Sequence, residues 1–345
     1  MLPDILVLLK CPVCDSHPLA HRSFATSQRG EIEIGVVWCP KCLHWYPITE
    51  GVLELLSGKL VYPEACVEFW QAHQEDLSSL GLEQYPMDIP SKDVVLQSAQ
   101  QVHSDWYADN SWQTYQDYAE MPFWVIADAL AFREWKPSIQ TGALILDIGC
   151  AQGRSAFKLM DLPVRIVGFD VSRELVHQAR RRYLQGNFKA EAVFFVADAA
   201  VLPFVDSCFD HILVYGVLHH LPDPIVTCRE IARLLCPGGS YWGCENNKTL
   251  FRGAFDLMQR FWPLWHEEAG SQPLISSADF RSWFSETGLE VQYRSSVFLP
   301  PHLINKLGLE QGKRWLEAAE RIGTRLPGIK QNGGLILVQA RKHQE

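Results

Sequence analysis

Short apolar runs alternate with helix-compatible stretches through the second half of the chain. The first run, 143–146, lies between Gly142 and Asp147, and four comparable runs follow it before residue 245. Short, continuously apolar strands that alternate with helices predict an α/β fold built on a largely parallel sheet. The predicted strands are 143–146, 164–169, 192–196, 211–215 and 240–244, with 289–297 and 335–340 as a closing antiparallel pair.

The first predicted strand is followed by a turn with small residues at alternate positions, namely Gly149, Ala151 and Gly153. Small residues let the backbone approach a nucleoside closely, and a helix over 155–160 would add its N-terminal amide groups. A dinucleotide-binding turn requires another small residue where this chain has Arg154. The turn therefore indicates a different nucleoside ligand, although a purely structural glycine turn is the alternative interpretation.

A carboxylate follows the second predicted strand at Asp170, about twenty residues after Asp147. In nucleotide-binding folds a carboxylate at this distance accepts hydrogen bonds from ribose hydroxyls, and it is costly to bury without such a partner. The alternative is that Asp170 caps the helix that begins near Ser172. Three arginines within this helix, 180–182, are expected to lie on its solvated face.

Two C-x₂-C pairs lie near the start of the chain, at Cys11 and Cys14 and at Cys39 and Cys42. Two such knuckles supply four thiolates, which is the ligand set of a tetrahedral structural Zn²⁺ site. A segment this small has little core of its own, so the metal would supply much of its folding energy. Two disulfides or four free thiols are the alternatives. The predicted zinc ribbon spans residues 1–57.

Charge and composition narrow the classes of partner. The 345-residue chain has 31 Lys and Arg against 40 Asp and Glu, and this net charge of −9 argues against a large nucleic-acid footprint. No apolar run reaches the roughly 20 residues needed to span a bilayer, and Asp4 lies where a signal peptide would be basic. We expect a cytoplasmic protein whose six other cysteines are reduced core residues.

Several motifs together resemble the class I S-adenosylmethionine (SAM) methyltransferases, in particular the ubiquinone/menaquinone-pathway group. Asp147 and the three small residues after it match the family's motif I, except that Ala151 stands where glycine is usual. The stretch 209–223 matches motif IV and its flank, and the Leu-x-Pro-Gly-Gly at 235–239 is frequent before the fifth strand of this group. The resemblance covers about 122–244.

This resemblance implies a Rossmann-like, seven-stranded methyltransferase sheet with SAM as the cofactor. In the family, the motif I residues shape the loop that binds the methyl donor, here called the donor loop (149–155). The carboxylate after the second strand holds the ribose, and the carboxylate after the third strand meets the adenine amino group. The residues assigned to the SAM site are Asp147, Gly149, Cys150, Ala151, Gly153, Asp170, Val171, Asp198, Ala199 and Tyr215.

The segments 5–14 and 45–52 resemble the small zinc-ribbon family typified by the tRNA-methyltransferase activator subunit. Modules of that family hold partners or help to build substrate sites. The resemblance therefore implies that the ribbon contacts a protein partner.

Two further segments are candidate covers for the active site. A helical connector is predicted over 58–121, and its aromatic part, 106–118, would be either a lid or an amphipathic helix packed on the core. The methyltransferase domain is assigned to 122–345. Within it, an aromatic insertion at about 249–275 lies where acceptor-binding elements occur in the family.

His219 and His220 follow the fourth predicted strand, at the sheet edge where ligands bind in open α/β folds. Imidazole titrates near neutrality and could take a proton from a hydroxyl or amine acceptor, which makes both residues catalytic candidates. The alternative is that one histidine packs while the other hydrogen-bonds the backbone or cofactor, and that alignment of SAM supplies much of the rate.

These observations predict a SAM-dependent methyltransferase that acts on a small, partly apolar acceptor and carries a structural zinc ribbon. One alternative is a ribosomal-RNA guanine methyltransferase, because such a family also joins a zinc domain to this core. A second alternative is a catalytically silent SAM-fold binding module, against which the intact acidic and glycine positions argue.

Overall fold

The strands predicted from apolar runs are present in the structure, a computed structural model that describes residues 1–84, 102, 105–106, 119–221, 223–264 and 273–344. The strands are β1 (Ala20–Thr26), β2 (Ile32–Trp38), β3 (Trp45–Thr49), β4 (Val52–Leu55), β5 (Leu144–Ile148), β6 (Arg165–Asp170), β7 (Glu191–Ala197), β8 (Phe209–Tyr215), β9 (Leu235–Asn246), β10 (Glu290–Ser296) and β11 (Leu335–Arg341). The helices are α1 (Pro3–Leu6), α2 (Pro63–Ser79), α3 (Pro122–Trp135), α4 (Arg173–Gln185), α5 (Pro224–Leu234), α6 (Leu250–Phe261), α7 (Ser277–Phe284) and α8 (Pro301–Gly323).

The described strands form one sheet in the order β1-β2-β3-β4-β7-β6-β5-β8-β9-β11-β10. The pairs from β7 to β9 are parallel, and β11 runs antiparallel between β9 and β10. The expectation of a seven-stranded sheet is wrong in its count, because β4 pairs in parallel with β7 and so joins the four N-terminal strands to the same sheet.

Alternate residues of the central strands are buried on opposite faces of this sheet. In β6, Val167 and Phe169 pack on the face covered by α5 and α7, whereas Ile166 packs beneath α3, α4 and α8. Both faces are therefore covered by helices. This double burial explains why the central strands are continuously apolar rather than alternating.

The N-terminal segment shares the core of the large sheet. Leu9 and Leu53 are buried in the same apolar cluster as Phe169 of β6. The backbone after α1, at 8–10, also pairs with the backbone at 203–205, between β7 and β8. Apolar burial and hydrogen bonding thus join the first fifty residues to the parallel strands.

Arg180 of α4 is buried, contrary to the expectation that all three arginines of this helix face solvent. Its guanidinium donates hydrogen bonds to Glu31 (2.9 Å), to Glu33 (2.7 Å) and to the carbonyl oxygen of Glu50 (2.6 Å). Its side chain exposes 6% of its surface, whereas that of Arg181 exposes 54%. Arg180 therefore links α4 to the N-terminal segment by three charge-assisted hydrogen bonds.

The helix predicted directly after the donor loop is much shorter than expected. A single 3₁₀ turn, Ala156–Lys158, replaces the predicted helix over 155–160. Pro163 follows closely and restricts the backbone before it, which leaves little room for a longer helix.

The connector is described only in part. α2 forms near its start and packs on the ribbon strands through Phe69 and Trp70. The predicted lid at 106–118 lies outside the described residues except for Trp106. Among the helices that are described, none is both long and apolar enough to cross a membrane.

We predict that Arg180→Leu lowers the free energy of unfolding by about 3–5 kcal/mol, because it leaves Glu31 and Glu33 without their buried partner. Urea denaturation measures this change. Arg181→Leu is the matched control on the same helix. It removes an exposed ion pair and should lower the free energy of unfolding by less than about 0.5 kcal/mol. Equal effects of the two substitutions would contradict the assignment of Arg180 as a buried link between α4 and the N-terminal segment.

Candidate active site

Asp147 lies beneath the donor loop and holds it from inside. Its carboxylate accepts hydrogen bonds from Ser155 Oγ (2.6 and 2.7 Å) and from the Ala156 N–H (3.0 Å). The residue is fully buried, and burial raises the pKa of its carboxyl to about 7 despite these donors. The contacts of Asp147 therefore shape the loop from the protein side.

The donor loop has a left-handed backbone at its small residues, with φ of +66° at Gly149, +47° at Ala151 and +85° at Gly153. A Cβ atom on Gly149 would lie 2.5 Å from the Val217 side chain, and one on Gly153 would lie 2.5 Å from Phe157. These two glycines are required by the left-handed backbone and by packing within the protein. The expectation attributed them instead to the close approach of a ligand.

Asp170, at the end of β6, connects this strand to the donor loop. One carboxylate oxygen accepts a hydrogen bond from the Ala151 N–H (2.9 Å), and the other accepts one from the Ser172 N–H (2.9 Å). The hydroxyl of Ser172 itself caps α4 by accepting from the Leu175 N–H. Helix capping alone therefore does not explain the position of the Asp170 carboxylate, which also accepts a hydrogen bond from the donor loop.

Asp198 follows β7 and is also buried, with its carboxylate accepting a hydrogen bond from the Ala200 N–H (2.8 Å). Burial raises the pKa of the Asp198 carboxyl to about 6, and burial also raises that of Asp170. Because β5, β6 and β7 are parallel neighbours, Asp147, Asp170 and Asp198 lie in a row at one edge of the sheet.

Tyr215 ends β8, and its hydroxyl donates a hydrogen bond to Asp128 of α3 (2.8 Å). The same carboxylate accepts from Arg154 (2.7 and 3.2 Å) and lies 3.3 Å from Lys158 Nζ. The Arg154 guanidinium lies over the rings of Trp124 (4.7 Å) and Tyr215 (4.9 Å). The family motifs identify Tyr215 but neither Asp128 nor the role of Arg154. The Arg154–Asp128 pair joins the donor loop to α3 across 26 residues, which no local motif spans.

The two candidate catalytic histidines lie in the 3₁₀ turn Leu218–His220, which is held by Glu245 at the end of β9. One oxygen of Glu245 accepts hydrogen bonds from the N–H groups of Val217 (3.0 Å) and Leu218 (2.8 Å). The other oxygen lies 2.6 Å from Nδ1 of His219. No motif identified Glu245, although its position at a strand end of the ligand edge is a usable signal.

His219 and His220 have different surroundings. His219 is 8% exposed, whereas His220 is half-buried, and their ring centroids are 3.8 Å apart. Burial raises the pKa of Asp170, and the nearby His220 acts in the opposite direction. Val217, just before the turn, packs on Gly149 of the donor loop. The turn therefore lies against the donor loop, with His220 toward the carboxylate of β6.

Three of the predicted cofactor residues direct their side chains into the core. Cys150 is 1% exposed, and its thiol donates to the Ala151 carbonyl (3.6 Å), while burial raises its pKa well above the usual value. Ala199 is 8% exposed, and Val171 packs beside the cluster beneath α3. A contact of Cys150 or Ala199 with a cofactor would therefore involve their backbone groups, whereas the side chain of Val171 is only partly buried.

The predicted acceptor-side insertion is described up to residue 264, and 265–272 lie outside the described residues. Within it, α6 buries Phe255 against the core. An apolar stripe on the opposite side of α6 faces solvent, with exposed fractions of 93% at Leu250, 57% at Leu257 and 66% at Phe261.

The four N-terminal cysteines converge, since their Sγ atoms all lie within 4.8 Å of one another. Cys11 and Cys42 have Sγ atoms 3.6 Å apart, as do Cys14 and Cys39. Tetrahedral Zn²⁺ with Zn–S bonds of about 2.3 Å places its sulfurs about 3.8 Å apart, whereas a disulfide is about 2.05 Å long. The cluster therefore fits a tetrahedral metal ion.

Comparison with known proteins separates the chain into two matched parts. Residues 146–242 match the family model of the methyltransferase domain, and residues 3–51 match that of Trm112p-like proteins. The 27-O-demethylrifamycin SV methyltransferase of Amycolatopsis mediterranei is 35% identical over 102 residues, which are 29% of this chain and 38% of that protein. The tRNA U34 carboxymethyltransferase of Nautilia profundicola is 33% identical over 96 residues, which are 28% of this chain and 31% of that protein.

The match thus spans about a third of the length of each of these relatives. Among solved structures, the [4+2]-cyclase SpnF superposes with a TM-score of 0.50 at 19% identity, covering 72% of this chain and 97% of that one. This likeness concerns the fold alone. The family models, the Rossmann-like sheet and the four-cysteine cluster agree with one another. The chain therefore contains a class I SAM methyltransferase domain joined to a Trm112p-like N-terminal domain.

Proposed function

We propose that this protein is an enzyme that transfers the methyl group of SAM to a small, partly apolar acceptor. The observation that carries the proposal is the row of carboxylates, Asp147, Asp170 and Asp198, at adjacent strand ends beside a folded donor loop. Asp170 would accept hydrogen bonds from the ribose hydroxyls, and Asp198 from the adenine amino group. SAM supplies an activated sulfonium methyl group, so that correct alignment of an acceptor atom provides much of the rate.

The turn with His219 and His220 supports proton transfer at the same edge. A hydroxyl or primary amine acceptor loses a proton as it is methylated, and a half-buried imidazole beside the donor loop is suited to take that proton. We assign this role to His220. His219, fixed by Glu245, would hold the turn in place.

A small acceptor is supported by charge and by the exposed apolar surface. The net charge of −9 disfavours a long phosphate backbone, and the apolar stripe of α6 suits a partly apolar molecule. The name of one relative describes a small-molecule methyltransferase, and that of the other describes a tRNA-modifying enzyme. Methyl transfer to tRNA or to ribosomal RNA is therefore the competing hypothesis for the acceptor.

We predict that purified protein supplied with methyl-labelled SAM transfers label to organic-extractable small molecules of a cell extract and leaves added tRNA and ribosomal RNA unlabelled. Asp170→Asn should weaken SAM binding about tenfold or more in calorimetry, because a charged acceptor toward the ribose is lost. Asp161→Asn, at an exposed site paired with Lys136, is the matched control and should bind SAM normally.

Label found in RNA would favour the nucleic-acid alternative. Absence of SAM binding to the wild-type protein would instead favour the silent binding module.

We predict that SAM affinity falls as the pH drops below about 6. Asp198, whose pKa burial raises to about 6, must be ionised to accept from the adenine amino group, so binding below this pH releases a proton. Affinity at pH 5 should be about tenfold lower than at pH 7. Calorimetry in buffers of different ionisation enthalpy measures both effects. Asp198→Asn should reduce the pH dependence and leave the part that the buried Asp170 carboxyl contributes. A flat profile in the wild-type protein would contradict this role.

We also propose that the four-cysteine cluster holds one structural Zn²⁺. The sulfur separations support this metal, and Cys₄ coordination leaves no open position for chemistry. The six cysteines outside the cluster are free thiols, which supports a reducing, cytoplasmic location. A protein partner of the ribbon would contact the exposed edge strand β1 at the far end of the sheet.

Metal analysis should find about one zinc per chain. Cys14→Ser should lose this zinc and lower the temperature of the whole unfolding transition, because the ribbon residues share the core of the sheet. Cys208→Ser, outside the cluster, should keep the zinc. A zinc-free protein with the four N-terminal thiols oxidised would contradict the proposal.

A further inference from the structure

The outer side of α8 has an apolar stripe that is exposed to solvent. Gly308 has a left-handed backbone (φ +71°) and interrupts α8, so that 309–323 forms one helical segment. Trp315 and Ile322, which are seven positions apart, are both 59% exposed. Leu326 is 44% exposed, and its N–H donates to the carbonyl oxygen of Ile322, which continues the helical turn. Residues at this spacing lie along one side of a helix, so the three side chains form one stripe.

The core-facing side of α8 is a different side of the helix. Leu316 is buried in the apolar cluster that includes Ile126 of α3. Gly312 lies one turn earlier on the same side, and a Cβ on it would lie 3.3 Å from Ile126. Successive residues of a helix point about 100° apart, so Trp315 is directed away from the side on which Leu316 packs. The exposed stripe is therefore not part of the packing between α8 and α3.

A row of arginines runs beside the stripe. Each of its three apolar residues is preceded directly by an arginine, at Arg314, Arg321 and Arg325. All three arginines are exposed, and the ion pairs within the described part of the chain involve none of them. Large apolar side chains next to unpaired arginines are typical of a surface that contacts another phase or molecule.

The charge of this segment is opposite to that of the whole chain. Residues 306–330 contain six Lys and Arg against three Glu, although the net charge of the chain is −9. Two of these glutamates pair with arginines of other elements, since Glu317 lies 3.3 Å from Arg133 and Glu320 lies 2.6 Å from Arg294. Positive charge is therefore locally in excess beside the apolar stripe, which complements an anionic surface.

The combination fits the surface of an anionic lipid bilayer. Tryptophan and aliphatic side chains enter the boundary between headgroups and acyl chains, and arginines beside them bind the lipid phosphates. The stripe lies on the outside of a helix. A protein partner would need a groove that matches this helix, whereas a fluid bilayer can contact the helix along its whole length.

We propose that the outer face of α8 docks on an anionic lipid bilayer, with the helix parallel to the membrane plane. This face consists of the apolar stripe and the arginine row, namely Trp315, Ile322, Leu326, Arg314, Arg321 and Arg325. The inference goes beyond the proposed methyl transfer and does not depend on it.

Sedimentation with vesicles tests the proposal in the full-length protein without SAM. Wild-type protein should bind vesicles of phosphatidylcholine and phosphatidylglycerol in equal parts about tenfold or more tightly than vesicles of phosphatidylcholine alone. Ile322→Glu places a carboxylate in the stripe and should weaken binding to the anionic vesicles about tenfold or more. Leu184→Glu, at a 47% exposed position of α4, is the matched control and should bind as the wild type does.

A second pair of variants tests the arginine row. Arg314→Gln combined with Arg325→Gln should weaken binding to the anionic vesicles about tenfold, because two cations near the headgroups are lost. Arg181→Gln combined with Lys189→Gln removes the same charge from exposed positions elsewhere and should change binding by less than about twofold. In the wild-type protein, addition of anionic vesicles should slow hydrogen exchange at 309–326, which requires no variant.

Several results would overturn the proposal. Wild-type protein that does not bind the anionic vesicles would do so, as would binding that Ile322→Glu and Leu184→Glu weaken equally. Self-association in ultracentrifugation that Ile322→Glu abolishes would assign the face to a second copy of this chain. Binding of an acidic peptide without binding of vesicles would assign it to a protein partner. Failure to bind SAM would count against the proposed function alone, because the vesicle measurements do not involve it.

Discussion

Hydrogen bonding between β4 and β7 is the interaction that makes one molecule of two differently built parts. The pairing is short, with Glu54 opposite Val196 and Leu55 opposite Ala197, yet it continues the parallel ladder into the ribbon. Asp198 follows β7 directly, so the ribbon lies next to the end of the sheet edge that we propose binds the adenine. The interface also buries Arg180, whose charge is balanced by acidic residues of the ribbon. Loss of this interface would therefore alter the strand that ends at the proposed cofactor site.

The donor loop is held in shape by hydrogen bonds within the protein. Asp147 accepts hydrogen bonds from the end of the loop, and Asp170 accepts one from its middle, at the Ala151 N–H. These contacts fix backbone groups that would otherwise lose conformational freedom on binding, so less of the binding free energy is spent on ordering the loop. Asp170 and Asp198, which each accept backbone hydrogen bonds, retain lone pairs that a ribose or an adenine can use.

Much of this architecture follows from local patterns in the sequence. The continuous apolar runs predict the central strands because both faces of the sheet are covered, and the spacing of Cys11, Cys14, Cys39 and Cys42 predicts their convergence.

The tertiary contacts that the sequence did not predict depend on distant partners. Arg180 resembles its exposed neighbours until Glu31 and Glu33, about 150 positions earlier in the chain, fold against it. Glu245 ends an ordinary apolar strand, and only the fold places it beneath the histidine turn. The β4–β7 pairing involves two residues on each strand, too few to leave a periodic pattern. Such contacts require the tertiary structure because nothing in the local sequence specifies them.

Hydrogen–deuterium exchange with and without S-adenosylhomocysteine locates the cofactor without requiring knowledge of the acceptor. We expect slower exchange in three separate segments, the donor loop at 149–155, the turn after β6 at 170–172 and the loop after β7 at 198–200. Exchange in the zinc ribbon's edge strand β1 should not change. Protection confined to other parts of the chain, with none in these three loops at saturating ligand, would contradict the assignment of this sheet edge as the SAM site.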